Sequence, residues 1–399
     1  MLIKFKVTNY LSFNEDVEFN MIASNVRRHS QHIHSFKGNR LLKSSVIYGA
    51  NGSGKSNLIF ALSLLQEIVS KGELNSFSNS NKFKLNPKNK GLPIKFEIEF
   101  VTNNKAYEYG IIFEEGLIIK EWLRKLEFGK KNNVLLFLRE HKSNGKIKLT
   151  FADKYLKSEK KRLLREVYQD DLLSNNTPFV HLVRNQKFKE ISETYKWISE
   201  NMVFIFPGAK VRGLASIINS DEEFRDFTNK LIGDLGTGIK ELRIKKIDFN
   251  SYFGEDNLIE KERVFKSVMD GNEEIIGDYH YTNAIAYLEE GEPMVMKLYS
   301  IHESSDYGEV EFELYEESEG SLRLLDFLPA FHMAINYDIS IIIDEIDQSI
   351  HVNLLKELVT RLQEREDLKG QIIFTTHESN LLDLNLFRQD EIWFSEKQK

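Results

Sequence analysis

A glycine-rich stretch in the first part of the sequence has the residue types and spacing that bind phosphate. It comprises Gly49, Ala50, Asn51, Gly52, Ser53, Gly54, Lys55 and Ser56, with Asn57 directly after it. This order fits the pattern GxxxxGK[ST], in which glycines allow consecutive backbone N–H groups to point at phosphate oxygens. The apolar run from Leu42 to Tyr48 predicts a strand before it, and the segment from Ser56 to Gly72 predicts a helix after it. The pattern and its flanks predict a nucleotide-binding loop over residues 49–57 rather than an ordinary turn.

Two residues of this loop have distinct chemical tasks. Lys55 carries the ammonium group that bridges the β- and γ-phosphates of a nucleotide, so we predict a catalytic role for it. Ser56 supplies a hydroxyl that can ligate Mg²⁺. The sequence therefore predicts ATP and Mg²⁺ as cofactors.

A second pattern near the other end of the chain places two carboxylates after an apolar run. Residues 339–343 are apolar except for one serine, and Asp344 and Glu345 follow them. Buried parallel strands present such acids at the carboxyl edge of a sheet. We predict that Asp344 holds Mg²⁺ and that Glu345 orients or deprotonates the attacking water. An ordinary strand end with two acids is the alternative, which the phosphate loop elsewhere in the chain disfavours.

A third pattern delivers a histidine to the same edge of the predicted sheet. The apolar strand predicted over residues 371–376 ends just before His377. A histidine there can contact the γ-phosphate or the attacking water, so we predict that it is catalytic. The alternative is a strand-end histidine that only bonds the backbone.

Composition limits what kind of protein this is. A chain of 399 residues exceeds what a single core holds, so more than one domain is expected. The absence of Cys excludes disulfides, Fe–S clusters, thiolate zinc sites and thiol nucleophiles. A net charge of −7 speaks against a general nucleic-acid coat protein. No apolar run approaches the length of a membrane span and no leader pattern begins the chain, so a cytoplasmic protein without membrane contact is expected.

The periodicity of the chain predicts an α/β fold in three parts. Residues 1–150 would contain the phosphate loop (Walker A) and a β-rich lobe, because residues 92–128 alternate as an antiparallel meander does. Residues 151–235 have helical periodicity and predict an inserted helical subdomain. Residues 236–399 would contain the carboxylates (Walker B) and His377.

The motifs GANGSGKS, SEGSLR, IIIDEID and FTTHES occur in this order. Together they resemble the ABC-type ATPase heads related to RecF and the SMC proteins. More narrowly, the C-terminal part resembles the RloA-like ATPases of bacterial anti-phage and abortive-infection operons. The resemblance implies an ABC-type head with a parallel or mixed sheet around the phosphate loop, an antiparallel β lobe and an inserted helical subdomain. Residues 1–150 would form the N-terminal half of this ATPase head, and residues 236–399 would form the C-terminal half, with the signature, Walker B, the D-loop and His377.

The resemblance also implies residues that act across a subunit interface. A short signature, here Ser318, Gly320 and Ser321, caps the γ-phosphate bound by the partner subunit, and Asp347 and Ser349 belong to the D-loop between the two sites. Two copies of the chain would then sandwich the nucleotide head-to-tail, as a homodimer or a higher homo-oligomer.

The signature departs from the LSGGQ of transporters. Glu317 and Glu319 stand where an apolar residue and a glycine are usual, and an acid near the phosphate would slow turnover. The nearby Arg323 is a candidate for additional positive charge at the phosphate.

The expected function is that of an ATPase whose output is a shape change. Because no nuclease domain follows His377, the resemblance implies a sensor or scaffold that controls a separate toxin or nuclease from the same operon. The alternative is a RecF-like DNA-binding repair ATPase, which would need a continuous basic groove. Its candidate residues are Lys157, Lys160, Lys161, Arg162, Arg165, Lys240, Arg243, Lys245 and Lys246.

Three closely spaced histidines, His29, His32 and His34, form a weaker pattern. A metal site is one interpretation of them. Solvated loop histidines are the other.

Overall fold

The computed structural model describes residues 1–74, 81–129, 132–255, 258–276 and 284–397, except for the side chains of residues 160 and 161. The chain forms two compact units. Unit 1 comprises Met1–Phe206, Ala334–Ile346 and Gln363–Lys399, and unit 2 comprises Pro207–Met333 and Asp347–Leu362.

The regular elements are numbered in chain order. The strands are β1 (Leu2–Thr8), β2 (Val17–Asn20), β3 (Ile33–Phe36), β4 (Asn39–Leu42), β5 (Ser44–Tyr48), β6 (Ile94–Thr102), β7 (Lys105–Glu114), β8 (Leu117–Leu126), β9 (Val134–His141), β10 (Ile147–Phe151), β11 (Met202–Ile205), β12 (Ile239–Asp248), β13 (Glu274–Ile276), β14 (Ala284–Glu289), β15 (Glu292–Ser304), β16 (Gly308–Glu313), β17 (Ser340–Ile343), β18 (Gln371–Thr376) and β19 (Ile392–Phe394). The helices are α1 (Lys55–Lys71), α2 (Glu159–Val167), α3 (Phe179–Leu182), α4 (Lys189–Glu200), α5 (Leu214–Ser220), α6 (Glu222–Asp234), α7 (Phe249–Phe253), α8 (Leu258–Met269), α9 (Glu319–Asn336) and α10 (Val352–Gln363).

Unit 1 contains an antiparallel sheet in the order β10-β9-β8-β7-β6-β1-β2. Its strands alternate between buried and partly exposed positions, as β6 shows, because one face covers the core and the other does not. The meander predicted over residues 92–128 is confirmed as β6, β7 and β8. The structure extends it by β9 and β10 on one side and by β1 and β2 on the other.

The second sheet of unit 1 is parallel, in the order β11-β17-β18-β5-β19. Every residue of β5, β17 and β18 is buried, which explains why these segments are nearly continuous apolar runs in the sequence. Because the strands are parallel, the residues that follow them emerge at one edge of the sheet. β18 lies between β5 and β17, so its end lies between the phosphate loop and the carboxylates.

Helix α1 packs into the core that fills unit 1. The face predicted from its spacing is buried, and Leu62, Leu65 and Ile68 are at most 1% exposed. They belong to one apolar cluster with residues of the antiparallel sheet, of α3 and α4, and of β17 and β18. In this core the ring of Phe100 stacks on Trp197 of α4, with centroids 4.2 Å apart. The helix ends at Gly72, whose φ of 79° is the left-handed conformation that closes helices.

Unit 2 contains a separate antiparallel sheet built around the long strand β15. Strand β12 pairs with one side of β15, and β14 and β16 share the other side. Short helices pack on this sheet, and a small core forms from α7, α8, β13, β14 and β15 around Phe249, Val264 and Val268.

The predicted α/β class, with a parallel sheet at the phosphate loop and an antiparallel β lobe, is confirmed. Residues 151–235 are mainly helical but also contain β11, which joins the parallel sheet. The domain boundaries at residues 150 and 235 stay predictions. Among the described residues, helices are too short or too polar to cross a bilayer.

Candidate functional site

The phosphate loop of unit 1 connects β5 to α1, as the sequence predicts. Gly54 directly precedes α1 with a φ of 108°, a conformation that residues with side chains rarely adopt. The Ser53 amide donates to the carbonyl oxygen of Ala50 at 3.1 Å, which closes a tight turn. Ala50, Asn51 and Gly52 are exposed at the tip. The loop therefore presents backbone to solvent at the start of a long helix, where an anion is favoured.

Lys55 lies inside the loop that it would serve. Only 6% of the residue is exposed, and its ammonium group donates to the carbonyl oxygens of Gly49 at 2.6 Å and Ala50 at 3.2 Å. The positive charge of Lys55 is thus held inside the curve of the loop backbone. Ser53 adds a buried hydroxyl that has no hydrogen-bond partner within the described part of the chain.

The two predicted metal ligands meet at the edge of the parallel sheet. The Ser56 hydroxyl donates to Oδ1 of Asp344 at 3.1 Å, and the Thr375 hydroxyl donates to the same oxygen at 2.7 Å. Asp344 is only 2% exposed, so its carboxylate is fixed by these neighbours. A hydroxyl and a carboxylate are the hard oxygen ligands that Mg²⁺ prefers beside substrate phosphates. The residues present therefore fit a magnesium ion.

Glu345 follows Asp344 in an unusual backbone conformation. Its φ is 52°, in the left-handed region, and its amide donates to the Thr375 hydroxyl at 2.8 Å. The next amide, of Ile346, donates to the carbonyl oxygen of Thr375 at 3.1 Å. These bonds turn the chain sharply at the end of β17 and leave Glu345 partly exposed beside the buried Asp344.

His377 lies where the sequence predicts, directly after β18. It is exposed, at the same edge of the sheet as the phosphate loop and the carboxylates. The structure thus brings Lys55, Ser56, Asp344, Glu345 and His377 to one edge of one sheet.

Comparison with known proteins identifies the family. Residues 44–383 match the family described as "AAA domain, putative AbiEii toxin, Type IV TA system". The chain belongs to this family. The predicted kinship with P-loop ATPases is thereby confirmed at the level of the AAA-domain family.

The mixed α/β fold is similar to two solved structures of SMC head domains. One is the "SMC head domain from Thermotoga maritima", with 13% identity and a TM-score of 0.38 over 96% of this chain and 90% of that chain. The other is the "SmcHead bound to the C-winged helix domain of ScpA", with 14% identity and a TM-score of 0.45 over 98% of this chain and 95% of that chain. No curated protein matches the chain.

The predicted signature of this AAA-domain protein lies in unit 2, at the start of α9. Ser318 precedes the helix, and its hydroxyl accepts the Ser321 amide at 3.1 Å and lies 2.9 Å from the Ser321 hydroxyl. This is the arrangement of a helix N-cap. Ser318 is exposed, whereas Ser321 is 6% exposed.

The predicted D-loop lies beside the signature within unit 2. A Cβ atom on Gly320 would come 3.1 Å from the carbonyl oxygen of Ser349, so the two backbones pass close together. Ser349 has a left-handed φ of 65°, and the Ile350 amide donates to the Asp347 carbonyl oxygen at 3.3 Å. The tight turn holds the D-loop against the N-terminus of α9.

Two charged residues near the signature have hydrogen-bond partners within unit 2. Glu317 does not point along the signature, because its carboxylate accepts hydrogen bonds from Ser300 and His302 of β15. Arg323 is 2% exposed and donates to the Ala209 carbonyl oxygen at 2.7 Å, beside Asp326. Burial lowers the pKa of Arg323 and raises that of Asp326, and the attraction between them opposes both shifts. Arg323 is therefore held among the buried residues of unit 2, beside Asp326.

Sequence reasoning missed two residues that touch the site. Thr375 joins the two carboxylate positions as described above. Ser395, just after β19, donates its amide to the Tyr48 carbonyl oxygen at 2.7 Å and its hydroxyl to the Ser53 carbonyl oxygen at 2.9 Å. No local signal marks Thr375, because its contacts depend on the strand that lies beside β18.

The basic run on β12 is neutralised by its neighbours. Lys240 and Arg243 both pair with Glu309, at 3.0 and 2.9 Å, and Lys245 pairs with Glu311. These acids stand on β16, and Lys246 similarly pairs with Glu289 of β14. The hydrogen bonds from Arg243 and Lys240 also lower the pKa of Glu309. The run does not offer free positive charge to nucleic acid. The side chains of Lys160 and Lys161, in the other basic cluster, lie outside the described residues.

The histidine cluster is tied into the fold of unit 1. His32 is buried, and its Nδ1 lies 3.1 Å from both carboxylate oxygens of Glu391. The ring of His29 stacks on the ring of His32, with centroids 4.8 Å apart. Within the described ranges, no group of three or more His, Cys, Asp or Glu side chains is arranged to hold a metal ion. His32 thus has a structural partner.

Proposed function

We propose that this AAA-domain protein binds ATP and Mg²⁺ and hydrolyses the nucleotide between two subunits arranged head-to-tail. The observation that carries the proposal is the cluster of Ser56, Asp344 and Glu345 at the edge of the parallel sheet, beside the loop that holds Lys55. Phosphoryl transfer needs positioned charge more than covalent chemistry, and this cluster supplies it. Such a site would work in the cytoplasm, where ATP is found.

Each residue has a task in this proposal. A bound Mg²⁺ would supply positive charge against the negative charge that develops on the phosphates. Ser56 and Asp344 would hold it. Lys55 would move from the Gly49 and Ala50 carbonyl oxygens to the nucleotide phosphates. Glu345 would take a proton from the attacking water, and His377 would contact the γ-phosphate or that water.

The exposed Ser318 at the start of α9 supports the proposal that unit 2 of one subunit contacts the nucleotide bound by the other subunit. An N-cap hydroxyl and the free amides of a helix N-terminus form an anion site. In the proposed sandwich, Ser318, Gly320 and Ser321 would cap the γ-phosphate held by the partner subunit. Asp347 and Ser349 would lie at the same interface. ATP would then join the subunits, and hydrolysis would release them.

The mass in solution tests the sandwich. We expect Glu345→Gln with ATP and Mg²⁺ to form a larger species than it forms with ADP, because trapped ATP holds the subunits together. Adding Ser318→Arg should abolish the larger species while leaving ATP binding by each subunit unchanged. The proposal would be contradicted if the mass were the same with ATP as with ADP and were unchanged by Ser318→Arg.

We further propose that the shape change controls a separate toxin or nuclease in anti-phage defence. The family description, which names a toxin and a toxin–antitoxin system, supports a role in such a system. The resemblance to RloA-like ATPases supports the same context. Expression of the chain alone in a bacterial host should leave growth normal. When the product of the adjacent gene is co-expressed, growth with the wild-type chain should differ from growth with a Lys55 variant. Toxicity of the chain alone would show that the effector is on this chain.

A further inference from the structure

A single buried hydroxyl connects the two predicted acidic positions of the site. Thr375 is fully buried, at 0% exposure, on the central strand β18. Its Oγ1 donates to Asp344 Oδ1 at 2.7 Å and accepts the Glu345 amide at 2.8 Å. It therefore touches the carboxylate of one acid and the backbone of the next.

Both bonds require the same group. A threonine hydroxyl has one hydrogen to donate and lone pairs to accept with, and Thr375 uses both capacities here. Valine has the same shape but neither capacity, so Thr375→Val would remove one donor from Asp344 and leave the Glu345 amide without this acceptor. Serine keeps both capacities and lacks only a methyl group.

The backbone of Glu345 needs such an anchor. A left-handed φ of 52° is unfavourable for a glutamate and persists only where surrounding contacts impose it. Thr375 supplies two of these contacts, through its hydroxyl to Glu345 and its carbonyl oxygen to Ile346. Small displacements of a catalytic group are costly, because about 1 Å can reduce a rate by roughly a hundredfold.

We propose that Thr375 is a positioning residue, which fixes the Asp344 carboxylate towards Mg²⁺ and the Glu345 backbone towards the attacking water. This inference rests on the proposed ATPase function. It assigns to β18 a second task besides carrying His377.

The chain offers a matched control one residue away. Thr376 is also fully buried on β18, but its hydroxyl accepts the Glu378 amide at 3.0 Å instead of contacting the carboxylates. The experiment compares Thr375→Val, Thr375→Ser and Thr376→Val with the wild type. It measures kcat and KM for ATP, the affinity for a fluorescent ATP analogue with and without Mg²⁺, and the unfolding midpoint.

We expect Thr375→Val to lower kcat by about tenfold or more, because a lost buried hydrogen bond and a displaced base act together. Its affinity for ATP without Mg²⁺ should stay within about threefold of the wild type, since the phosphate loop is untouched. The strengthening of ATP binding by Mg²⁺ should be largely lost. Thr375→Ser and Thr376→Val should behave as the wild type within about threefold. If Thr375→Val does not fold, Thr375→Ala replaces it.

Two results would overturn the proposal. One is a Thr375→Val protein with wild-type kcat and wild-type response to Mg²⁺. The other is an equal loss in Thr376→Val at the same unfolding midpoint, which would indicate general damage to the strand. If the wild type binds ATP without hydrolysing it, hydrolysis fails as the proposed function while Thr375 is still tested. The Mg²⁺ response should then be kept in Thr375→Ser and lost in Thr375→Val, and equal responses would refute the assignment.

Discussion

At Gly49 the phosphate loop passes close to another segment of unit 1. A Cβ atom there would lie 2.5 Å from the Ser395 carbonyl oxygen and 2.5 Å from the Ser53 hydroxyl, closer than the 3.0 Å that real Cβ contacts keep. The Ser395 carbonyl oxygen belongs to backbone and cannot rotate away. The first glycine of the motif is thus needed for space as well as for phosphate.

We therefore expect Gly49→Ala to weaken ATP binding by about tenfold or more, because the loop must shift to relieve the clash. Gly91→Ala is the matched control, since a Cβ atom at Gly91 meets nothing within 4 Å. A nucleotide titration of both variants checks this. Equal affinities for ATP would mean that the loop adapts at no cost.

Some site residues can be recognised from short sequence motifs, whereas others depend on how distant segments pair. Lys55, Ser56, Asp344 and Glu345 stand in short motifs, and the sequence predicted that they would meet. Thr375 could not be recognised, because its two bonds depend on which strand lies next to β17 in the parallel sheet. That order is a property of segments far apart in the chain and leaves no local trace.

At the scale of elements, local periodicity predicted some segments and missed others. The phosphate-loop strand and α1 were predicted, because the strand is a nearly continuous apolar run and the helix has a clear period that ends at Gly72. Strand β11 was missed inside a helical region, since its four residues are too few to show a period. Helices α7 and α8 were likewise missed between strands of unit 2.

A glutamate in helix α4 makes hydrogen bonds whose contribution to stability depends on pH. Glu190 in its first turn accepts hydrogen bonds from Lys154 and from the Tyr155 hydroxyl, which follow β10. Burial opposes the ionisation of Glu190, but these hydrogen bonds outweigh it and lower its pKa to about 2. An unfolded glutamate has a pKa of about 4.3. The carboxylate therefore stabilises the fold above that pH and loses this contribution as the pH falls towards 2.

We expect Glu190→Gln to be less stable than the wild type near neutral pH, and the difference in unfolding free energy to shrink between about pH 4.3 and pH 2. Denaturant unfolding at a series of pH values measures it. Glu67→Gln is the control, because Glu67 is partly exposed and pairs with Lys71 on the surface of α1. Curves for Glu190→Gln and wild type that stay parallel down to pH 2 would contradict the assignment.

For the whole molecule, charge distinguishes the proposed function from a DNA-binding one. The net charge is −7, and the basic run of β12 is paired with acids on β16, on the far side of β15. A protein that neutralises several phosphates releases counterions and shows a steep dependence of affinity on salt. The paired residues of β12 cannot contribute to such a slope without first breaking their ion pairs.

We expect duplex DNA at physiological salt to change ATP hydrolysis by less than about twofold. The double variant Glu309→Gln and Glu311→Gln removes the β16 acids that pair with Lys240, Arg243 and Lys245, and it should bind DNA more tightly than the wild type at low salt. Salt titrations of DNA binding by both proteins provide the measurement. Strong stimulation of the wild type, with a steep salt slope, would favour the DNA-repair alternative.

The order of strands in the parallel sheet also determines when, during synthesis, the proposed nucleotide site can form. During synthesis on the ribosome, β5 and the phosphate loop emerge well before β17 and β18, which lie far along the sequence. Since β18 must insert between β5 and β17, the side chains proposed to bind metal and to act in catalysis can meet only after β18 has been made, and pairing between such distant segments is slow. In the proposed function, a chain interrupted before β18 would carry a phosphate loop without the residues that complete the nucleotide site.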